Sequence, residues 1–308
     1  MTPFAQGPFA DLPLLPRIPH RFYALAEERV TTSSAGLGVV EWSLRRVGSG
    51  PPLLLIHGLM TTGYSWRYVV DALAEHFTVF IPDLPGAGRT VTPEGRLSPG
   101  VMADAIAALI EALGIRGCPV VGNSMGGYLC MHLALRHPDM LSRLLVLHAP
   151  GIPEARLYTL WLALRLPGAQ ALLGALVRWN PLRWAHRNVH YFDESLKSVE
   201  EAKEYGEPLV SAVGLSGFYR QLRDMMDVRQ IADFVRTLEA RRAANQGFGL
   251  PLLLLYARAD PMVPPRVGPA LAALIPDARL AWAEEGSHFL HVDRPALFLS
   301  EAVPFLKD

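Results

Sequence analysis

A serine hydroxyl is a weak nucleophile at neutral pH. It attacks a carbonyl only when a neighbouring base takes its proton and a carboxylate orients that base. Ser124 is the residue around which such chemistry would be built. It stands in Gly122-Asn123-Ser124-Met125-Gly126, after the apolar run 118–121 and before 128–136, a stretch that predicts a helix ending at His137-Pro138. A bare Gly-x-Ser-x-Gly match arises by chance, so the setting carries the weight. A serine in a sharp strand-to-helix turn projects its hydroxyl above the sheet. Glycine is needed at 122 and 126 because a β-carbon in so tight a turn would strike the adjacent strand or helix. The bland alternative is a glycine-rich turn with an incidental serine.

Ten histidines compete for the role of base. His288 follows a predicted strand and precedes the last helix. His148 ends another predicted strand and is its main rival. His57, beside Gly58, reads as a structural or loop residue; His132 and His137 read as surface or packing residues on the helix after Ser124. For the acid, open parallel sheets place their sites at the C-terminal ends of strands. Asp260 ends the leucine-rich run 252–255 and is followed by Pro261, with Asp293 as its rival. Asp83 also follows a strand. An aspartate entering a turn is ordinarily only a turn residue.

The elements that must position these groups alternate. Continuous apolar runs at 52–56, 77–81, 118–121, 144–147 and 252–255 predict strands covered on both faces, with a further strand at 279–282. Between them, 64–76, 101–113, 128–136, 267–274 and 295–306 predict helices, with Gly114 as a stop. First strands are expected within 30–47. Residues 1–20 are proline-rich and predict an extended arm over the core. The fold class is therefore α/β: a mostly parallel, doubly wound sheet with helices on both faces.

Five features together resemble the α/β-hydrolase superfamily: Ile56-His57-Gly58, Asp83-Leu84-Pro85-Gly86-Ala87-Gly88, Gly122-Asn123-Ser124-Met125-Gly126-Gly127, Ala259-Asp260-Pro261-Met262-Val263-Pro264 and Gly286-Ser287-His288-Phe289. They occur in the family's order and span most of the chain. The resemblance implies a nucleophile Ser124, a base His288 and an acid Asp260, in the chain order this fold requires. It makes Asp83 structural. It also implies an oxyanion hole from the backbone N–H of Met125, at a helix N-terminus, and of Leu59. Tyr64-Ser65-Trp66-Arg67 is similar to the dehalogenase and epoxide-hydrolase branches, which use an aspartate where this chain has Ser124. Only 152–248 lies outside the motifs, where the family inserts a variable helical cap. The expected division is thus core 1–151 and 249–308, with cap 152–248.

Composition narrows the function classes. Acidic and basic residues balance at 29 each, so neither nucleic acid nor a disordered acidic tail is indicated. Two cysteines, Cys118 and Cys130, both expected in the core, point to a reducing compartment. No signal peptide is expected, and no uncharged apolar run reaches about 18 residues, so the expected location is cytoplasmic. No metal cluster or phosphate-cradling loop is evident, so no cofactor or metal is implied, and nothing fixes an oligomeric state.

Within the expected cap, 155–192 holds five arginines and no acid, with Trp161, Trp179 and Trp184 among many leucines; 193–207 is strongly acidic, and 221–242 predicts a helix. The reading preferred is a solvated face in which those arginines pair with the acidic stretch. A basic amphipathic helix with tryptophans on a lipid surface is the less favoured reading. The cap's apolar content points to a small apolar ester as substrate and to a carboxylesterase or lipase-like activity. The Gly122–Gly127 stretch is also similar to the meta-cleavage product hydrolases, which break C–C bonds, although Phe289 stands where that group often has tryptophan. A non-catalytic ligand receptor on the same fold is the third reading.

Overall fold

The computed structural model describes residues 3–92 and 94–308. One eight-stranded sheet organises it. Strands β1 (Glu27–Ser34) and β2 (Gly38–Val47) form an antiparallel hairpin, followed by β3 (Pro52–Ile56), β4 (Thr78–Pro82), β5 (Cys118–Asn123), β6 (Leu141–Leu147), β7 (Leu252–Ala257) and β8 (Ala278–Ala283). Their order is β1-β2-β4-β3-β5-β6-β7-β8; β2 is antiparallel to β4, and all later pairings are parallel. The helices around the sheet are α1 (Val70–Ala74), α2 (Pro99–Leu113) and α3 (Met125–Arg136) before β6. Between β6 and β7 come α4 (Ala155–Ala163), α5 (Ala169–Trp179), α6 (Pro181–Asn188), α7 (Val199–Gly206), α8 (Ala212–Met225) and α9 (Val228–Ala243). The chain ends with α10 (Val267–Leu274), α11 (Leu290–Asp293) and α12 (Pro295–Lys307).

The unbroken leucine runs follow from two-sided burial. Leu252 and Leu254 point into the core shared with α2 and α3, whereas Leu253 and Leu255 point into the core shared with α1 and α12. Each face of the sheet therefore demands apolar residues, and alternation disappears. Gly114 ends α2 with a left-handed φ of 67°, as a helix stop requires. Both cysteines are buried and unpaired.

Three expectations are corrected. Residues 64–76 do not form one helix: Gly63–Trp66 is a 3₁₀ turn capped by Thr62, and α1 is a single short turn and a half. Aromatic and β-branched residues dominate that stretch and favour a buried, irregular path over helix. The helix expected at 221–242 is two helices, because Asp227 accepts the N–H of Arg229 and caps α9. The proline-rich arm runs along the inserted helices as much as over the core. Pro13 O and Leu14 O accept from Val199 N (2.9 Å) and Glu200 N (3.1 Å), while Ile18 in the arm and Phe22 and Leu25 just after it pack on the core of the sheet.

Candidate active site

Parallel strands bring their C-terminal ends to one edge of the sheet. The chain winds from β3 outward to β4 and then crosses back to β5 on β3's other side. Open α/β sheets place their sites at such a reversal, here at the loops after β3 and β5. Those are the loops of Leu59 and Ser124.

Ser124 sits at φ 54°, ψ −120°, a strained conformation for a residue with a side chain. Two bonds hold it there: Ser124 N donates to Leu147 O (2.7 Å), and Ser124 O accepts from Tyr128 N (3.0 Å), opening α3. The flanking glycines are sterically enforced. A β-carbon at Gly122 would lie 2.6 Å from Gly127 N, and one at Gly126 would lie 2.4 Å from Ile56 O. The turn is thus wedged between its own helix and β3. Met125 N lies in the first turn of α3, where backbone N–H groups have no intrahelical acceptor. The β3 loop runs alongside: a β-carbon at Gly58 would be 3.1 Å from Ser124 Cβ, and the following Met60 adopts φ 65°. Leu59, half-buried, lies between them.

His288 and Asp260 are brought together from loops after β8 and β7. His288 Nδ1 lies 2.8 Å from Asp260 Oδ2, and both side chains are buried. The other carboxylate oxygen of Asp260 accepts the N–H groups of Met262 (2.6 Å) and Val263 (2.9 Å). Burial by itself would raise the Asp260 carboxyl. The charge and hydrogen bond of His288, His148 and the Val263 N–H outweigh it and hold the group below the usual range. A carboxylate on Nδ1 leaves Nε2 as the imidazole nitrogen available for proton transfer. Asn123 couples this loop to the serine turn: its Nδ2 donates to His288 O at 3.0 Å. Sequence reasoning treated Asn123 only as part of a motif; a buried amide next to the serine was the signal available.

The rivals occupy other roles. His148 is buried at φ 49°, its ring 5.6 Å from that of His288, but its Nε2 accepts the backbone N–H of Ala257 (2.9 Å). Burial depresses its pKa to about 3. Asp293 accepts from Ser287 N (2.7 Å) and Phe192 N (2.9 Å), so it braces the His288 loop without touching the imidazole. Burial raises it to about 7. His57 bridges two loops: Nδ1 is 2.8 Å from Gly58 O and Nε2 accepts from Leu84 N (2.9 Å). Asp83 accepts from Gly63 N and Arg89 N (both 2.9 Å), a bracing role. His132 packs between Tyr128 and Phe234, and His137 meets Asp104 at 2.8 Å.

A cavity of about 230 Å³ flanks the β3 loop, with Met60, Thr61, Tyr205, Leu209, Phe218 and Gln221 in its wall. Ser124 is not in its lining, but Thr61 Oγ1 donates to Gly58 O (3.1 Å), one residue from Leu59. A larger cavity of about 790 Å³ opens among α4, α5 and α8, away from Ser124. The smaller one borders the site.

The alpha/beta hydrolase fold model matches residues 51–295. A 2-hydroxymuconate semialdehyde hydrolase of Pseudomonas sp. (strain CF600) is 27% identical over 276 residues, covering 87% of this chain and 91% of that protein. A pimeloyl-[acyl-carrier protein] methyl ester esterase of Vibrio atlanticus (strain LGP32) is 27% identical over 264 residues, covering 84% and 95%. Among solved structures, a thermophilic esterase from Thermogutta terrifontis superposes with a TM-score of 0.69 at 21% identity, covering 91% of this chain and 98% of the other, a likeness of fold. With the match spanning most of the chain and the strand order described above, this protein is a hydrolase of the α/β hydrolase fold family.

Proposed function

We propose that the protein is a serine hydrolase that cleaves carboxylic esters bearing apolar groups. The observation that carries the reading is the buried His288–Asp260 pair, tied through Asn123 to the turn that strains Ser124. Ser124 Oγ adds to the ester carbonyl while His288 Nε2 takes the serine proton. Asp260 holds Nδ1–H and stabilises the imidazolium that forms. The oxyanion of the tetrahedral intermediate accepts from Met125 N–H and Leu59 N–H. His288 returns its proton to the leaving alcohol as the C–O bond breaks, giving an acyl-Ser124 ester. Water then adds by the same route and releases the acid. The inserted helices, 152–248, act as the cap that selects the acyl or alcohol group. Labelling by a fluorophosphonate probe, lost in Ser124→Ala, together with turnover of a p-nitrophenyl ester series, tests the reading. A folded Ser124→Ala protein that keeps ester turnover would sink it.

A second reading is C–C bond hydrolysis of a meta-cleavage product. The similarity to the 2-hydroxymuconate semialdehyde hydrolase supports it. Assaying a dienoic ring-fission product beside the ester series separates the two. A kcat/KM for the dienoate far above that for any ester would decide for C–C cleavage.

A further inference from the structure

The five arginines of 155–192 do not pair with the acidic stretch that follows. Five of its six carboxylates are used elsewhere: Asp193 by Arg17, Glu194 by Lys197, Glu200 by His20 and Tyr64, Glu201 by Arg67, Glu204 by Tyr23 and Thr62. Arg165 finds Asp227, on the far side of the insert. Among the described residues, Arg156, Arg178, Arg183 and Arg187 are exposed and have no carboxylate partner.

The same surface is apolar. Helix α5 carries two apolar stripes. Leu173 and Val177 turn inward onto Leu209, Leu215 and Phe218. Leu172, Leu176 and Trp179, spaced i, i+4, i+7, turn outward and are 65%, 55% and 88% exposed. Leu166, exposed, lines a cavity with Ala169, Gln170 and Arg178 of α5. Between α5 and α6 lies a groove of about 180 Å³ lined by Leu176, Trp179, Asn180, Arg183, Trp184 and Arg187. Leu176 and Trp179 thus share a groove with Arg183 and Arg187, cations that have no carboxylate partner, Arg183 lying over the Phe9 ring at 5.8 Å; an apolar patch so rimmed is the mark of an interaction surface.

We propose that this face of α5 and α6 docks on the surface of an anionic phospholipid bilayer. Leucines and a tryptophan that stand proud of the surface suit the boundary between headgroups and acyl chains, and the arginines suit lipid phosphates. A second copy of the chain is a poor occupant. A two-fold contact sets a patch against itself, which would bring the arginines of one copy against those of the other. The inference does not depend on the assignment of Ser124.

The test is flotation of the full chain with vesicles of phosphatidylglycerol and phosphatidylcholine, and of phosphatidylcholine alone. The protein should float with the anionic vesicles and lose binding in high salt. Replacing Arg178 and Arg183 by glutamine should lower partitioning about fivefold per charge. Replacing Leu172, Leu176 and Trp179 by serine should lower it by about tenfold or more. Both variants should keep their turnover of a short, freely soluble ester or their native circular dichroism; the two sets are separate, so misfolding of one leaves the other to decide. Absence of flotation with anionic vesicles overturns the proposal. So does flotation unchanged in both variants, or a dimer in sedimentation that the serine variant dissociates while no vesicle binds.

Discussion

The loops at the sheet edge and the helices inserted between β6 and β7 are held by different physics. At the edge, polar side chains are buried or, for Asp83, half-buried, and bonded to backbone from other loops: His57 to Leu84, Asp83 to Gly63 and Arg89, Asp293 to Ser287 and Phe192, Asn123 to His288. Each bond spans loops that rigid strands already fix, so a displaced residue leaves a buried group without its partner. The insert is anchored at both ends: α9 buries Ile231, Phe234 and Leu238 in the core shared with α2 and α3, and α6 and α7 bury Ala185 and Tyr205 in the core shared with α1 and α12. Arg67, fully buried and stacked between Tyr64 and Tyr68 at 4.4 Å, meets Glu201 of α7 at 2.5 Å, and Tyr191 OH donates to the same carboxylate at 2.5 Å. Toward α4 and α5 the buried contacts thin out to a small cluster around Val177 and Phe218. The proposed chemistry needs sub-ångström placement, and Ser124, Asp260 and His288 all lie in the first region. The second has latitude to vary in what it admits or touches.

The sharpest way to break that contrast is at the edge. Ser124→Ala should cut turnover on the order of 10⁴-fold or more while leaving the unfolding transition in place. His288→Ala should be nearly as severe, Asp260→Asn milder, and the losses should combine far less than additively, since the residues act as one unit. Rates for the four single changes at 288, 260, 148 and 293 decide the assignment: a crippling His148→Ala beside a nearly silent His288→Ala would reverse it. Activity should also fall toward acid pH, because a protonated imidazole cannot accept the serine proton.

One anchor of the insert comes next. Glu201→Gln leaves Arg67 buried without a counter-charge, which should lower stability by about 3–5 kcal/mol in denaturant unfolding. Removing Glu111 from its exposed pair with Arg116 should leave the unfolding midpoint nearly unchanged. Equal effects would mean that the Arg67–Glu201 pair is not a buried anchor of α7.

A third effect reads burial directly. His132 is pressed between Tyr128 and Phe234, and burial lowers its pKa from 6.5 to about 4. The unfolded chain takes up that proton below about pH 6.5 and the folded chain only below about 4. The stability it contributes is complete above 6.5 and is lost as pH falls to 4, a span of about 3 kcal/mol. His57, also lowered to about 4, has the same sign. His132→Phe should therefore flatten the slope of Tm against pH between 6.5 and 4 by about one proton, without removing it. An unchanged slope would show that His132 titrates normally in the fold.

The smallest change is expected within the insert. Leu209→Ala and Phe218→Ala, in the wall of the cavity that borders the site, should shift the kcat/KM ratio of long to short esters by about tenfold, with short-ester turnover kept. An ester profile untouched by both would remove the insert from specificity.

How much of this was legible in the sequence follows from range. Gly122, Ser124 and Gly126 declare a strand-to-helix turn within five residues, because the steric demand is local. The strands at 52–56 and 252–255 are legible for the same reason: burial on both faces removes every polar residue from the run. The helix expected at 64–76 failed because that segment is shaped by its burial under the insert and arm, not by its own propensity. Sequence could nominate both His288 and His148. Only the fold gives them different partners: the N–H of Ala257, 109 residues away, occupies Nε2 of His148, while Asp260 reaches Nδ1 of His288. Sequence likewise showed five arginines followed by acids and suggested mutual pairing. Tertiary packing sends those acids to Arg17, His20, Tyr23, Arg67 and Lys197 instead. Composition and periodicity determine what a segment can bury. Which lone pair meets which proton, and which charge is left unmatched, is decided only when distant segments compete for the same few ångströms.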